Sequence, residues 1–344
     1  MKMKTYLITG GAGFIGSNFI YYMFNKYSEI KIINLDKLTY AGNLENLKGL
    51  ENNLDYTFVQ GDICDKGLVN DIFSENDIDY VVNFAAETHV DRSINDAEPF
   101  VKTNVLGTVT LLNAAKNAWL TNDGFKQEKK FLQISTDEVY GSLGAIGYFT
   151  ETTSINPHSP YSSSKASADL MVRAYFDTYN MPINITRCSN NYGAYQFPEK
   201  LIPLLINNCL KHEDLPIYGS GMNIRDWLFV EDHCRAIDIV VKNGKYGEVY
   251  NIGGHNERSN MQIVKKIINY INVNRDKEVT EELITYVVDR KGHDLRYGID
   301  PKKITEELGW YPETTFDIGI EKTIKWYLQN EEWLNNITSG EYLK

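Results

Sequence analysis

The feature that most constrains this chain is a glycine-rich loop set between an apolar strand and a helix. Thr5 to Thr9 reads as a buried strand, and it runs into Gly10-Gly11-Ala12-Gly13-Phe14-Ile15-Gly16-Ser17-Asn18, which opens a helix over Gly13 to Asn25. Glycines at this spacing allow a tight turn, close approach of backbone to a pyrophosphate, and close packing of helix on sheet. Phosphates would then sit on the positive helix N-terminus. Asp36 follows the next apolar strand, Ile30 to Leu35, about 20 residues after Gly16, where a carboxylate reaches adenine-ribose hydroxyls. A carboxylate there repels a 2′-phosphate and favours NAD over NADP, while Lys37 beside it works against that preference. Asp62, after Tyr56 to Gln60, either meets the adenine side or caps its own turn.

The rhythm continues with candidate strands at Tyr80 to Phe84, Phe131 to Ser135 and Ile183 to Arg187, and candidate helices at Gly67 to Glu75 and Thr103 to Leu120. Runs such as Tyr80-Val81-Val82-Asn83-Phe84 suit a parallel sheet covered on both faces. The expected class is therefore α/β, a doubly wound parallel sheet of Rossmann type. After Tyr192 the pattern changes. Proline and asparagine interrupt Phe197 to Pro216, Phe229 to Lys242 reads as helix, Val249 to Ile252 as one more strand, and Met261 to Ile271 and Pro301 to Leu328 as helical. The expected division is a nucleotide-binding domain over residues 1–192, with 228–256 returning to it, and a smaller interleaved C-terminal lobe from 193–227 and 257–344 that binds substrate.

Composition narrows the partners. The 46 acidic against 35 basic residues give a net charge of -11, with no dense Lys/Arg block, which argues against nucleic acid. No apolar run approaches the roughly 18 residues of a bilayer span, so no membrane partner is expected. Met1-Lys2-Met3-Lys4 leads straight into the first strand and does not read as a signal peptide. Cys64, Cys188, Cys209 and Cys234 show no CxxC pairing, which points to a reduced, cytoplasmic protein without a structural metal.

Two constellations carry chemistry. Tyr161-Ser162-Ser163-Ser164-Lys165 opens a helix that Ser159 can cap, with Pro160 in the first turn. The i, i+4 spacing puts phenol and ammonium on one face, and a nearby ammonium lowers a tyrosine's pKa so that the phenolate can take a proton from an alcohol. Tyr22 with Lys26 and Tyr27 with Lys31 match the same spacing, but they lie in the helix after the glycine loop, away from any strand C-terminus, and are read as accidental. The second constellation is Thr136-Asp137-Glu138 at the end of the strand Phe131 to Ser135. Ligands bind beyond the carboxyl ends of parallel strands, so a hydroxyl and two carboxylates there can serve as hydrogen-bond donor, acid and base. Alone they equally suit a solvated turn. With Tyr161 and Lys165 the catalytic reading is the better one, and adjacent carboxylates raise each other's proton affinity so that one remains an acid.

Together these elements resemble the extended short-chain dehydrogenase/reductase family and, within it, the dTDP-glucose 4,6-dehydratases, over essentially the whole chain. The matching runs also include Leu35 to Asn43, Ala85-Ala86-Glu87-Thr88-His89-Val90-Asp91-Arg92-Ser93-Ile94, Arg187 to Gly193, Arg225-Asp226-Trp227 and Gly292-His293-Asp294. The Thr-Asp-Glu run is the specific part, since related epimerases, decarboxylases and GDP-mannose dehydratases lack its aspartate. Lys291 departs from the proline that relatives tend to carry. The resemblance implies that Tyr161 takes the proton of the sugar 4-hydroxyl as hydride passes from C4 to NAD, with Thr136 bonding that oxygen and Lys165 holding the cofactor ribose. Glu138 would remove the C5 proton, Asp137 would protonate the departing 6-hydroxyl, and hydride would return to C6.

It further implies cofactor contacts from Gly10, Gly13, Phe14, Ile15, Gly16, Asp36, Lys37, Leu38, Thr39, Asp62, Ile63, Ala85, Ala86, Thr103 and Asn191. Substrate contacts are expected from Thr88, Asn190, Lys200, Leu201, Pro216, Tyr218, Arg225, Asn260, Arg290 and His293. Arg225 and Arg290 suit a diphosphate because a guanidinium makes paired bonds to phosphate oxygens, against a role in ordinary surface ion pairs. His89 stands near the substrate or is structural, and Cys188 is a packed thiol beside the cofactor. The long helices Thr103 to Leu120 and Tyr161 to Tyr179 imply a homodimer. Two other readings stay open: a 4-epimerase or decarboxylase, which would leave Asp137 idle, and a non-catalytic NAD-sensing scaffold, which could dispense with the Tyr–Lys pair.

Overall fold

The computed structural model describes residues 3–289, 294–340 and 342. Seven parallel strands form the central sheet, in the spatial order Val249–Ile252, Ile183–Cys188, Lys130–Thr136, Tyr80–Asn83, Lys4–Thr9, Ile30–Asp36 and Tyr56–Gln60. The chain lays Lys4–Thr9 in the middle, builds outward on one side, then returns to Tyr80–Asn83 on the other. That reversal opens a crevice at the carboxyl ends of Lys4–Thr9 and Tyr80–Asn83, the usual ligand position in such sheets. The strands are continuous apolar runs because helices cover both faces: Phe19, Ile20 and Met23 pack on one side, and Leu111, Leu112, Ala115 and Val172 on the other.

A second apolar core gathers the helices Leu201–Lys211, Asn260–Asn274, Phe316–Gln329 and Glu331–Ser339 around Tyr192, Trp227 and Phe229. Two small sheets tie these helices down. Ile224–Phe229 lies between Glu257–Ser259 and Asn190–Tyr192, and Leu215–Tyr218 pairs with Ile284–Val287. The stretch Phe197 to Pro216, read from its prolines and asparagines as irregular, instead holds the Leu201–Lys211 helix. Pro203 sits in its first turn, where a missing N–H costs nothing, so the helix survives. The predicted helix over Thr103 to Leu120 begins as a wide π-helical turn, Val101–Gly107, before the α-helix Thr108–Trp119. Such turns recur beside functional sites, and Thr103 here faces the crevice.

Candidate active site

The crevice is a cleft of about 340 Å³. At one end the first strand passes through Gly10, whose φ of 69° is left-handed, into the Phe14–Lys26 helix. A Cβ on Gly16 would stand 2.4 Å from the Gly10 oxygen, and one on Gly10 would stand 2.7 Å from the Ala85 nitrogen. A side chain at Gly10 or Gly16 would therefore collide with backbone and force the loop apart. No side chain caps the helix start at Gly13 and its first turn has no acidic residue, so its N–H groups are offered to an anion in the cleft.

Beyond the loop, Asp36 is 92 % buried and accepts from the Ala12 and Leu38 N–H groups at 2.9 and 2.8 Å. Burial pushes its pKa up, and the two N–H groups pull it back toward ionisation. Leu38, at a φ of 56°, does not line the cleft and turns the chain instead, whereas Lys37 and Thr39 do line it. The Lys37 ammonium is held 2.9 Å from the Asp62 carboxylate. Asp62 also accepts from the Cys64 N–H at 2.9 Å, so it is both turn cap and cleft wall. Because Asp62 neutralises Lys37, the charge beside Asp36 loses its claim on a 2′-phosphate, and the donor set fits NAD.

Phe14, Ile15, Ile63, Ala85, Ala86 and Asn191 line the same cleft, as sequence reasoning expects of a cofactor wall. His233, buried in the Val230–Asn243 helix, shares a bond of 2.8 Å with the Asn191 amide oxygen. His233, Glu87, Gln196, Phe197 and Glu199 were not anticipated. The last four lie in the cleft wall. Gln196, Phe197 and Glu199 share one short run before the Leu201–Lys211 helix and Glu87 belongs to the Ala85 to Ile94 run, and nothing in either spacing says which residues face inward.

At the other end the two reactive constellations meet. Ser159 caps the Pro160–Tyr179 helix through a box with Ser162, which places Tyr161 in the first turn and Lys165 one turn on, both facing the cleft. Both are buried, and Lys165 donates to the Ile134 carbonyl at 2.7 Å. The strand Lys130–Thr136 ends in a tight turn, Asp137–Tyr140, that Thr136 caps by accepting from the Glu138 N–H at 3.2 Å. The Thr136 hydroxyl is 3.3 Å from Asp137 Oδ1, while Asp137 Oδ2 is buried with no hydrogen-bond partner among the described residues. Burial, then the charges of Glu138 and Asp226, drive the Asp137 pKa well above the carboxylate range. That direction suits Asp137, which lines the cleft, to serve as an acid. Burial and the charges of Glu138, Cys188 and Asp137 likewise raise the Tyr161 phenol, and burial lowers Lys165.

The remaining expectations divide. Thr88, Asn190 and Lys200 line the cleft, but Leu201, Pro216, Tyr218, Arg225 and Asn260 do not. The Arg225 guanidinium donates to the Ile224 and Asp294 carbonyls at 2.8 and 3.0 Å and stacks 4.3 Å over the Tyr297 ring. Arg290 and His293 lie outside the described residues. His89 caps the Val90–Asn95 helix through Nδ1 and sets Nε2 3.5 Å from Glu199 at the cleft rim. Cys188 donates to the Ser135 carbonyl, and burial pushes its thiol up to about 12, which makes it packing and not a nucleophile.

The sequence model of the GDP-mannose 4,6-dehydratase family matches residues 7–323. The chain is 51 % identical to the dTDP-glucose 4,6-dehydratase of Xanthomonas campestris pv. campestris (strain B100), covering 99 % of this chain and 97 % of that one. Among solved structures it resembles the dTDP-glucose 4,6-dehydratase of Bacillus anthracis in complex with NAD, with 50 % identity, a TM-score of 0.88, and 97 and 99 % of the two chains covered. It also resembles that of Streptomyces venezuelae with NAD and TYD bound, with 44 % identity, a TM-score of 0.88, and coverage of 96 and 98 %.

Proposed function

This chain belongs to the GDP-mannose 4,6-dehydratase family, on its dTDP-glucose branch among the extended short-chain dehydrogenases/reductases, and from that we infer that it converts dTDP-glucose to dTDP-4-keto-6-deoxyglucose, with NAD as cofactor. The observation that carries the reading is Asp137, a buried acid on the same cleft as Tyr161 and Lys165. An oxidoreductase or epimerase has no use for a protonated carboxyl there, whereas elimination of water needs one.

Bound NAD supplies an acceptor for hydride at C4 and a donor of the same hydride at C6. Gly10, Gly13 and Gly16 make room for its pyrophosphate and Asp36 takes the ribose hydroxyls. Lys165, which lines the cleft one helical turn beyond Tyr161, would hold the second ribose and supply the cation near the Tyr161 oxygen. Tyr161 accepts the proton of the substrate 4-hydroxyl, and Thr136 bonds the oxygen that becomes the ketone. The ketone acidifies C5–H, Glu138 removes that proton, and Asp137 gives its own to the leaving 6-hydroxyl, which departs as water. A proton then returns to C5. Thr88, Asn190 and Lys200 hold the sugar nucleotide in the cleft.

The protein works as a homodimer in the cytoplasm. Val101, Leu106, Leu170 and Met171 present exposed apolar side chains on the two long helices, a pattern suited to burial against a second copy. All four cysteines are free thiols, as a reducing compartment keeps them.

Incubating the purified protein with dTDP-glucose and weighing the product tests the reaction. A sugar nucleotide lighter by one water, with no net NAD consumed, and its loss in Glu138→Gln, is the expected result. Unchanged mass with an inverted C4 would assign an epimerase and sink the dehydratase reading.

A further inference from the structure

Arg187 opens the run Arg187 to Gly193, of which the active-site chemistry uses Asn190 and Asn191 and leaves Arg187 without a task. It lies on the strand Ile183–Cys188, in register with Ser135 on one side and Asn251 on the other. Its guanidinium is buried and forked. Nε donates to Asp169 Oδ2 at 2.9 Å, and Nη1 donates to the Tyr140 hydroxyl oxygen at 2.9 Å. The Tyr140 hydroxyl in turn donates to Asn251 Oδ1 at 2.8 Å, so the cluster closes on the neighbouring strand.

The two arms of this fork reach the two halves of the chemistry. Asp169 stands one turn beyond Lys165 and two beyond Tyr161 on a single helix. Tyr140 is the last residue of the turn that carries Asp137 and Glu138. We propose that Arg187 is a positioning residue that sets the acidic turn against the Tyr161–Lys165 helix, so that substrate oxidised by one is in place for elimination by the other. This rests on the assignment of elimination to Asp137 and Glu138.

The geometry suits arginine. A planar guanidinium holds rigidly spaced donors toward a carboxylate and a phenol at once, whereas a lysine ammonium, on a flexible stem, can reach both but fixes the direction of neither. The helix arm is also held without Arg187, by the bond from Lys165 to Ile134. The acidic turn has the Asn156 N–H on the Val139 carbonyl at 3.0 Å, but its last side chain, Tyr140, is hydrogen-bonded only to Arg187 and Asn251 among the described residues. Weakening the fork therefore displaces the acid and base more than the phenol. A displacement near 1 Å costs a positioned step up to about 100-fold.

The test is a single-turnover experiment on Tyr140→Phe, which keeps the ring and removes the bridging oxygen, and on Arg187→Lys. Reduced nicotinamide absorbance follows C4 oxidation, and mass of the quenched sugar follows water loss. The expectation is water loss slowed by about 10-fold or more with C4 oxidation within about twofold, so that 4-keto sugar still carrying its water accumulates. The double variant should be no slower than the slower single one, because both act through one chain of contacts. Equal slowing of both steps, or no change in either, in Tyr140→Phe overturns the proposal even if Arg187→Lys fails to fold. Glu138→Gln serves as the reference. If it too accumulates no hydrated 4-keto sugar, the acidic-pair assignment fails and the proposal falls with it. If it does accumulate and Tyr140→Phe does not, only the positioning role is lost.

Discussion

Lys165 donates to the carbonyl of Ile134 at 2.7 Å, which anchors the helix bearing Tyr161 to the strand whose end bears Thr136, Asp137 and Glu138. The residues proposed for oxidation and for elimination are therefore built on one mechanical unit, and the same ammonium lies one helical turn from the phenol. Burial and three neighbouring acidic groups raise the Tyr161 pKa, so the base form that the proposed mechanism uses needs a cation, and Lys165 is the one proposed to supply it.

Tyr161→Phe and Lys165→Met are each expected to slow C4 oxidation by on the order of 10²–10⁴-fold. Because phenolate is the active form, C4 oxidation should rise with pH. Lys165→Met should move that rise to higher pH, since losing a cation makes the phenol a weaker acid. Single-turnover rates against pH decide it, and a Lys165→Met profile superimposable on the wild type would remove Lys165 from this role.

Water loss should show the opposite slope. Burial, Glu138 and Asp226 hold Asp137 protonated above the ordinary carboxylate range, and the acid form is present below that raised pKa. The rate of elimination should fall as pH climbs through it. Asp226→Asn takes away a negative neighbour, lowers the Asp137 pKa, and should shift the falling limb to lower pH. Asp137→Asn should abolish the limb and slow water loss by about 10²–10⁴-fold. A limb that stays put in both variants would belong to another group.

How far the sequence reached follows from the range of each interaction. The glycine loop, the Ser159 cap and the Thr136 turn are local, and the residues that make them are adjacent in the chain. Asp36 and Asp62 were legible because each follows its own strand, whereas Ala85 was expected only from the family resemblance. Glu199 and His233 come from distant segments, and single-sequence periodicity cannot say that they would face His89 or Asn191. Arg225 is the reverse case: its motif is local, but in this structure its guanidinium is taken up by the Asp294 carbonyl that it meets across the fold.

The glycine loop yields a binding prediction independent of turnover. In Gly16→Ala the new methyl would stand 2.4 Å from the Gly10 oxygen and 2.7 Å from the Gly11 Cα, both backbone atoms with nowhere to move. NAD affinity should fall by about 10-fold or more, equivalent to about 1.4 kcal/mol. Titration of NAD by calorimetry measures it, and undiminished affinity would mean that the loop relaxes at no cost.

The second Tyr–Lys match, dismissed as accidental for chemistry, is a joint between helices. Asp238, 98 % buried on the Val230–Asn243 helix, takes bonds through Oδ2 from Lys26 at 2.7 Å, Tyr27 at 2.8 Å and Tyr22 at 3.2 Å, all on or just after the Phe14–Lys26 helix. Asp238→Asn removes the charge these donors converge on and should cost about 1–3 kcal/mol in urea unfolding. Burial disfavours the Lys26 charge, yet the bonds to Asp238 and Tyr22 outweigh it and raise its pKa above 10.5. A raised folded pKa contributes stability that is complete below the unfolded value and is lost as pH rises through the folded one. The Lys26 side chain is 44 % exposed, so solvent screening keeps that share under about 1 kcal/mol. Wild-type stability should therefore decline slightly more than that of Asp238→Asn above pH 10.5. Parallel curves in the two proteins would assign the joint to packing alone.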